Sequence, residues 1–368
     1  CGLLACGTGS TSVARSVSSV PGPSSVVGPI DSTVAVSTGA ARSSVPATAT
    51  ATSVGGTGSV GAASTSVPGM SAVPAVSGGV APLTGLSMTD RAVATRPALI
   101  VKIDGQRLAR PQFNLDRADL VIEEIVEGIT RFMAVFPAEL AADERHLGPV
   151  RSARLYFVQW AMGFGAFYAH AGGSPAGLEL AQSTTAIINL DGLRNESADY
   201  FFRVETDTRV APHNLYSNGT LLQQRAAAET QPFTRTDVGF RYRLAAPADK
   251  RGAAQSFSYY FLYDDAPVGW QYDPASNNYF RTRYGKAAID EVSNTQLTTQ
   301  NVVVMQVEEA PIEGDPKSRI DQKVIGTGKA VLYRDGQREE ITWQKDAPES
   351  PLLFLDASGK EVQFTAGQ

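Results

Sequence analysis

The residues best suited to chemistry in this chain are arginines that stand beside glycine and proline in short polar motifs. Arginine presents a planar fork of N–H groups that holds a carboxylate or phosphate with two parallel hydrogen bonds. Arg151 and Arg154 are three residues apart, which would place them on one face of a helix. The turn at Gly172 precedes a helix-like segment, and the first N–H groups of a helix attract anions. We therefore predict an anion-binding cleft formed by Arg110, Arg131, Arg151, Arg154, Gly172, Gly173, Ser174, Arg209 and Asn214.

A structural explanation of the same arginines stays open. Charged side chains are rarely buried without partners, so the cluster shares either a bound anion or a set of carboxylates. In the second case the glycines simply permit turns, and the candidate partners are Asp119, Glu123, Glu124, Glu127 and Asp207. In the first case we expect one pocket, with the Gly172-Gly173 turn as its floor, lined by Arg131, Arg151, Arg154, His170, Arg209 and His213.

Two histidines and one glutamate are the candidates for acid–base chemistry. His170 and His213 lie in polar turn motifs, and histidine exchanges a proton near neutral pH. If the protein is an enzyme, the candidate catalytic residues are His170, His213 and Glu127, while a structural role for both histidines stays open. The spacing of these residues matches no metal-binding motif, and we expect neither a metal nor a cofactor. Ser174 lacks the sequence pattern of a nucleophile elbow and reads better as a helix N-cap.

Strands and helices alternate in the part of the chain that carries these motifs. Apolar runs predict strands over 98–103, 118–126, 129–136 and 167–170. Apolar residues at helical spacing predict a helix over 151–161. Ser174 and Pro175 are typical of an N-cap and a first helical position, in a helix that we predict to run to Ser183. The pattern predicts an N-terminal α+β or α/β domain with a mixed sheet over 85–225.

The remainder of the chain predicts a smaller, mostly-β C-terminal domain over 253–368, after a polar connector over 226–252. The segments 268–272 and 279–283 flank a turn and predict a hairpin. Four aromatic residues either fill a small core, which we favour, or form an exposed binding surface: Trp270, Tyr272, Tyr279 and Trp343. A strand-like segment over 362–364 lies close to the last residue, and we expect a further strand beyond it.

The N-terminal segment has a different composition. Residues 7–84 are mostly small, include no aromatic residue and carry only three charges. Such a segment buries too little apolar area to offset its chain entropy, which predicts a disordered tether or an O-glycosylated stalk. Leu3-Leu4-Ala5-Cys6 matches a bacterial lipobox, so we expect 1–6 to be a signal-peptide remnant with lipidation at Cys6. Acylation of Cys1 is the alternative.

Charge and hydropathy restrict the partners. The net charge of −5 argues against a general nucleic-acid binder, which usually has a basic balance. No stretch reaches the roughly 20 apolar residues that span a bilayer. We expect an extracytoplasmic protein that a lipid anchors to the membrane, with a cell-wall component or an envelope protein as its partner.

Six motifs, in order, resemble the YerB-like bacterial lipoproteins, a family named for a domain of unknown function. They are Ala109-Arg-Pro-Gln112, Ala118-Asp119, Val126-Glu-Gly-Ile-Thr-Arg-Phe132, Gly148-Pro-Val-Arg-Ser-Ala-Arg154, His170-Ala-Gly-Gly-Ser-Pro175 and Ala211-Pro-His-Asn-Leu-Tyr216. The resemblance covers the chain from about residue 82 to its end. It implies a lipid-anchored envelope protein with an α/β N-terminal domain and a C-terminal domain, and no established reaction. One departure is the single glycine in Glu127-Gly128-Ile129, where the family pattern has two.

Two functions are compatible with these observations. The first is a binding or regulatory module of the envelope that takes an anionic ligand or a protein partner. The second is an envelope hydrolase or phosphotransferase acting on a phosphorylated or anionic glycan or a lipid-linked precursor. The order of acidic strand, arginine-bearing strand and Pro149-Val-Arg151 is similar to that of the LytR-CpsA-Psr phosphotransferases, although their Pro-Arg-Asp signature is absent. This likeness is an analogy of fold alone.

Overall fold

The computed structural model describes residues 31–38, 80–88, 97–137, 145–206, 208–228, 239–253, 256–261 and 267–367, the first of these ranges as backbone. Its helices are α1 (Leu155–Met162), α2 (Pro175–Ser183) and α3 (Gly219–Ala227), with 3-10 turns at Arg107–Ala109, Leu115–Arg117, Asn195–Tyr200 and Ala248–Lys250. The first ten strands are β1 (Asp31–Thr38), β2 (Leu99–Asp104), β3 (Leu120–Val126), β4 (Ile129–Phe136), β5 (Phe167–His170), β6 (Ile188–Asp191), β7 (Phe202–Arg203), β8 (Leu215–Tyr216), β9 (Arg241–Arg243) and β10 (Ser256–Tyr259). The others are β11 (Val268–Asp273), β12 (Asn278–Arg283), β13 (Lys286–Ala287), β14 (Thr298–Thr299), β15 (Asn301–Pro311), β16 (Ile320–Gln322), β17 (Gly326–Arg334), β18 (Gln337–Lys345), β19 (Leu353–Leu355) and β20 (Gln363–Thr365).

One mixed sheet runs through both halves of the chain. Its order is β19-β18-β17-β15-β1-β3-β4-β2-β5-β6, with β16 attached to β15. Strands β2, β5 and β6 are parallel to one another, and the other pairs are antiparallel. The prediction of a mixed sheet in the N-terminal part and a mostly-β C-terminal part is confirmed. A second sheet, β10-β11-β12-β13 with β14, contains the predicted hairpin as β11 and β12.

The main hydrophobic core lies on the face of the large sheet that α1 covers. Side chains alternate between the faces of a strand, so Ile100, Ile122 and Met133 share this face. Trp160 of α1 and Trp343 of β18 belong to the same core, and their ring centroids are 6.3 Å apart. The N-terminal and C-terminal parts of the chain therefore share one continuous core.

Within the segment predicted as a tether, residues 31–38 form β1 in the middle of the large sheet. This strand pairs with β15 over its full length and with β3 at Ala35, Val36 and Ser37. A segment poor in apolar residues can still join a sheet through its backbone, because strands β3 and β15 present hydrogen-bonding edges to it. The signal-peptide remnant, Cys1, Cys6 and the rest of 7–79 lie outside the described residues.

The predicted connector over 226–252 also differs from the structure. Helix α3 extends to Ala227, and β9 pairs in parallel with β20 near the end of the chain. Phe240 and Tyr242 pack beside Phe364. The aromatic rings explain the difference, because they give this polar segment enough apolar area to join the core.

The four C-terminal aromatic residues lie in the protein interior, as expected. Trp270, Tyr272, Tyr279 and Trp343 are each at most 5% exposed. They therefore do not form an exposed stacking surface. No helix in the described ranges has the length and apolar character needed to cross a membrane.

Deleting residues 31–38 should destabilise the whole folded part, because it removes the strand between β3 and β15. The free energy of unfolding should fall by at least about 3 kcal/mol, since several net-favourable ladder hydrogen bonds are lost. Urea denaturation of the full chain measures this change. The matched control deletes residues 16–23, eight residues of similar composition. Equal stability of the two variants would contradict the placement of β1.

Candidate anion-binding site

Three parallel strands of the large sheet end in polar residues at one edge. Asp104 ends β2, His170 ends β5 and Asp191 ends β6. Arg131 of β4 lies directly opposite Asp104 in the antiparallel register. In open α/β sheets, ligands bind outside the carboxyl ends of parallel strands. This edge is therefore the expected location of a ligand-binding site.

The segment that carries Arg151 and Arg154 is extended, so the prediction that helical spacing brings them onto one face is wrong. Helix α1 begins only at Leu155, with Arg154 as its N-cap residue at φ −134° and ψ 157°. The Arg151 N–H donates to Lys102 O at 2.8 Å, and the Ala153 N–H donates to Gly172 O at 2.9 Å. Pairing with β2 on one side and with the glycine turn on the other keeps the segment extended.

Arg151 and His213 share one buried carboxylate. Asp104 Oδ2 lies 3.3 Å from Arg151 Nε and 2.7 Å from His213 Nδ1. The other carboxylate oxygen, Oδ1, accepts the Gln106 N–H at 3.0 Å. The Asp104 side chain is fully buried, whereas those of Arg151 and His213 are 23% and 14% exposed. Asp104 therefore links two chain segments that the sequence separates by about 60 residues.

Arg154 is paired with Glu127 in the turn between β3 and β4. Arg154 Nε and Nη2 donate to the two Glu127 carboxylate oxygens at 2.8 and 2.6 Å. Glu127 and Gly128 have φ values of 47° and 87°, so both adopt the left-handed conformation that a two-residue hairpin turn requires. Glu127, unlike Gly128, carries a side chain at a positive φ. Its bidentate ion pair helps to hold a conformation that is otherwise unfavourable for a residue with a side chain.

Arg131 is the cation of this cluster whose charge is least compensated. It is 5% exposed, its Nη1 donates to Ser152 O at 3.3 Å, and its Nε is buried with no hydrogen-bond partner. Within the described part of the chain it forms no ion pair. Burial first, and then the neighbouring charge of Arg154, lowers the pKa of Arg131 to about 10. Asp104 and Glu127 favour its charged form, but both carboxylates already bind other cations.

A buried lysine and glutamate lie beneath this cluster on the same face of the sheet. Glu124 Oε1 accepts the Trp160 Nε1–H at 2.6 Å, and its Oε2 is buried without a partner. Lys102 Nζ donates to Phe132 O at 3.0 Å and lies over the Phe157 ring. Burial raises the pKa of Glu124 to about 8 and lowers that of Lys102 well below its usual value. The sequence signal for Lys102 was its position inside an otherwise apolar strand.

The side chain of His170 and the N–H of Gly172 bind other protein groups, although the backbone of the glycine turn pairs with the arginine segment. His170 is fully buried, and its Nδ1 and Nε2 lie within hydrogen-bonding distance of Gly172 O (2.9 Å) and Asn189 Oδ1 (2.7 Å). The Gly172 N–H donates to Asp191 Oδ1 at 2.7 Å, so it does not face a ligand. The Ser174 hydroxyl accepts the Gly177 N–H at 3.2 Å, which confirms its prediction as the N-cap of α2. The prediction of a single pocket with this turn as its floor is therefore wrong.

Arg209 and Asn214 have protein partners nearby. Arg209 Nη2 donates to Glu291 at 2.8 Å and its Nη1 to the Tyr216 hydroxyl at 3.2 Å. Asn214 is fully buried, and its Oδ1 accepts from Arg203 at 2.9 Å. The ion pair with Glu291 connects the N-terminal part to the C-terminal part. Among the described residues, His, Cys, Asp and Glu side chains form no group of three or more that could hold a metal ion.

Arg110 lies on the opposite face of the sheet from Arg131. Its Nε and Nη2 donate to Gly105 O at 2.9 and 2.6 Å. It lines a cavity together with Thr130, whose side chain points away from that of the adjacent Arg131. The predicted arginine cluster is thus divided between two faces. Arg131, Arg151, Arg154, His213 and Glu127 come together on one of them, around the buried Asp104.

Comparison with known proteins places the chain in a family. A model described as the N-terminal domain of a protein of unknown function, DUF3048, matches residues 83–234, and the C-terminal domain of the same family matches 258–368. The chain belongs to this DUF3048, or YerB-like, family. It is 30% identical over 277 residues to "Putative lipoprotein YerB" of Bacillus subtilis (strain 168), across 72% of this chain and 78% of that protein. The crystal structure of YerB from Bacillus subtilis superposes with a TM-score of 0.65 at 26% identity, covering 78% of this chain and 94% of the YerB chain.

The family motifs coincide with the geometry of the site. Three of them contain a cis prolyl bond, at Pro111, Pro149 and Pro212. Gly148–Arg154 supplies Arg151 and Arg154, and Ala211–Tyr216 supplies His213. Asp104, which joins these motifs, lies outside all six of them. The sequence presents Asp104 as a turn residue after a strand, and this is why sequence reasoning missed it.

Replacing either Lys102 or Glu124 should make the free energy of unfolding depend on pH, and the two single variants should have slopes of opposite sign. In Lys102→Met, Glu124 keeps a folded pKa raised by burial above its unfolded value near 4.5 and loses the lowering effect of Lys102, so stability falls as pH rises from about 4.5 through the folded pKa. In Glu124→Gln, Lys102 has a folded pKa below 10.5, so stability falls as pH drops from about 10.5. Each slope should approach about 1.4 kcal/mol per pH unit. Urea denaturation across pH measures both slopes.

The double variant Lys102→Met/Glu124→Gln is the control, and it should lose both slopes. Slopes of the same sign in the two single variants would show that these residues do not act as a buried pair.

Proposed function

We propose that the protein is a lipid-anchored, extracytoplasmic binding protein that takes an anionic group, carboxylate or phosphate, at Arg131. The observation that carries this proposal is a buried guanidinium with an unpartnered Nε and no ion pair in the described part of the chain. Leaving a buried charge unpaired is costly, so a site of this kind is stabilised by a ligand of the opposite charge. Carboxylate and phosphate are the groups that match the planar fork of arginine.

The neighbours of Arg131 support this choice. Arg151 and Arg154 repel its charge, and the carboxylates of Asp104 and Glu127 are each occupied by other cations. An arriving anion would relieve this repulsion. Arg151, Glu127 and His213 keep part of their side-chain surface exposed, which gives the ligand a route to the cluster from their side.

The lipid anchor is proposed from sequence and relationship. The Bacillus subtilis relative is named a lipoprotein, and the lipobox at Leu3–Cys6 provides the residue for acylation. A protein held at the outer face of the membrane meets wall components and envelope proteins, which frequently carry anionic groups. We propose a partner of this kind.

An envelope hydrolase or phosphotransferase is the second candidate, and one observation favours it. His213 Nδ1 lies 2.7 Å from a fully buried carboxylate of Asp104, in the arrangement by which a carboxylate orients a histidine for general base catalysis. Its other ring nitrogen is then available to accept a proton from a water molecule. Arg151 and Arg131 lie beside this pair and would hold the anionic substrate. The buried His170 has no comparable position.

Arg131→Gln should weaken anion binding at least tenfold while leaving stability unchanged or higher, because it removes a buried charge that like charges repel. Calorimetric titration of the full chain with pyrophosphate and with a carboxylate-bearing muropeptide measures the affinity. If Arg131 were a structural residue, the same substitution would cost about 3–5 kcal/mol of stability and leave binding unaffected.

Two matched variants sharpen this test. Glu127→Gln should bind the same probes more tightly, because it frees the Arg154 guanidinium. Arg338→Gln removes an exposed arginine paired with Glu340 and should change nothing. Hydrolysis of pyrophosphate or a phosphodiester by the unchanged protein, abolished in His213→Ala, would favour the enzyme over the binding module.

Cys6→Ala should release the protein from the membrane or leave an unprocessed precursor, because a bacterial lipoprotein is held by acyl chains on this cysteine. Membrane fractionation of the native host, followed by detection of the protein in the medium, measures the effect. Cys1→Ala is the control and should leave anchoring intact. Unchanged membrane association of the Cys6 variant would contradict acylation at this residue.

A further inference from the structure

A cavity of about 140 Å³ lies on the other face of the sheet, between the two family domains. The N-terminal domain contributes Arg107, Arg110 and Thr130 to its lining, and the C-terminal domain contributes Phe261, Arg283 and Tyr284. Its volume is several times the roughly 30 Å³ that one water molecule occupies in the liquid. It can therefore hold a group of the size of a phosphate or carboxylate.

The cavity has more positive than negative charge around it. Three arginines line it, no carboxylate among the described residues does, and the buried Glu123 is the carboxylate whose charge acts on Arg110. Glu123 already accepts from Arg281 Nη2 at 2.7 Å and from the Thr130 hydroxyl at 2.7 Å. Arg283 Nη1 reaches the same carboxylate only at 3.5 Å. The guanidinium groups of Arg281 and Arg283 therefore share the single carboxylate of Glu123.

Two of the arginines have binding capacity that the protein does not use. Arg283 Nε is buried without a hydrogen-bond partner. Arg110 donates to the carbonyl oxygen of Gly105 and forms no ion pair in the described ranges. Burial first, and then the charge of Arg283, lowers the pKa of Arg110. These are the properties of a site that is short of one anion.

Tyr284 is held over both arginines in an unfavourable backbone conformation. Its φ is 52° and that of Gly285 is 69°, and together they form the turn between β12 and β13. A bulky residue is rare at such a φ, and residues of this kind cluster at ligand sites. The guanidinium carbons of Arg110 and Arg283 each lie 5.3 Å from the Tyr284 ring centroid.

The pKa of the Tyr284 hydroxyl is consistent with a positive electrostatic potential in the cavity. Burial acts to raise its pKa, yet the pKa is lowered, because hydrogen bonding and charge from Arg110 and Arg283 outweigh that effect. The surroundings thus favour a negatively charged oxygen at this point. A ligand oxyanion would experience the same stabilisation.

We propose that this cavity binds a small oxyanion, carried on a free ion or at the end of a larger ligand, between Arg110, Arg283 and the Tyr284 hydroxyl. The site is separate from Arg131 and stands independently of the function proposed above. Because its arginines come from both family domains, a bound anion would hold the β12–β13 turn against the N-terminal domain.

The test is the thermal stability of the full chain in inorganic phosphate, in glycerol 3-phosphate, and in sodium chloride of equal ionic strength. Phosphate should raise the melting temperature of the unchanged protein above its value in chloride. Arg110→Gln and Arg283→Gln should lose most of this increment. Binding of both phosphates would identify a site for the free ion, and binding of the ester alone would identify the end of a larger ligand.

Tyr284→Asn separates a binding role from a structural one. Asparagine tolerates a positive φ, so this variant should melt at a higher temperature than the unchanged protein in chloride and gain less from phosphate. A merely structural Tyr284 would give a lower melting temperature in chloride. Arg107→Gln changes an exposed side chain of the same cavity, so its phosphate-induced rise in melting temperature can be measured even if Arg110→Gln fails to fold.

The variant Arg131→Gln distinguishes the two proposed sites. It should keep the phosphate increment that depends on Arg110 and Tyr284. Stabilisation of the unchanged protein by neither inorganic phosphate nor glycerol 3-phosphate would overturn the proposal. So would an increment that is lost in Arg131→Gln and kept in Arg110→Gln and Tyr284→Asn.

Discussion

The burial of three ionisable side chains in one row across the large sheet is the constraint on which the surrounding structure depends. Asp104, Arg131 and Glu124 lie opposite one another on β2, β4 and β3. Each is at most 5% exposed, and a buried charge requires a partner or a change of protonation. Asp104 draws in Arg151 and His213 from distant motifs, and Glu124 accepts from Trp160. These contacts add to the backbone pairing that keeps the arginine segment extended, and the hydrogen bond from Trp160 fixes α1 against the sheet.

The hairpin of β3 and β4 connects the two charged regions. Its turn places Glu127 against Arg154 on one face, while Gly128 lines the cavity of Arg110 and Arg283 on the other. Thr130 and Arg131 are adjacent in β4 and point to opposite faces of the sheet. Thr130 contacts Glu123 on one face, and Arg131 lies by Ser152 on the other. Because side chains alternate between the two faces of a strand, the arginines that the sequence motifs group together lie in two separate regions of the structure.

Local signals were enough to predict some elements and failed where pairing was distant. Ser174 and Pro175 predicted the start of α2 to the residue, because a helix cap depends only on its neighbours. The predicted start of α1 at residue 151 is wrong, because residues 151–154 are held extended by β2 and by the Gly172 turn. The meeting of Arg151 with His213 was expected, but the carboxylate that joins them was not. No local pattern distinguishes Asp104 from an ordinary turn aspartate.

The position of β1 also changes how the proposed lipid anchor would hold the protein. If residues 7–84 all lay between anchor and fold, 78 residues at about 3.5 Å each would reach at most about 270 Å. With β1 in the sheet, only the 24 residues 7–30 separate Cys6 from the folded part, which limits the reach to about 80 Å. With the proposed anchor at Cys6, a ligand would lie within this reach plus the dimensions of the folded part, which favours partners at or near the membrane surface over those deep in the wall.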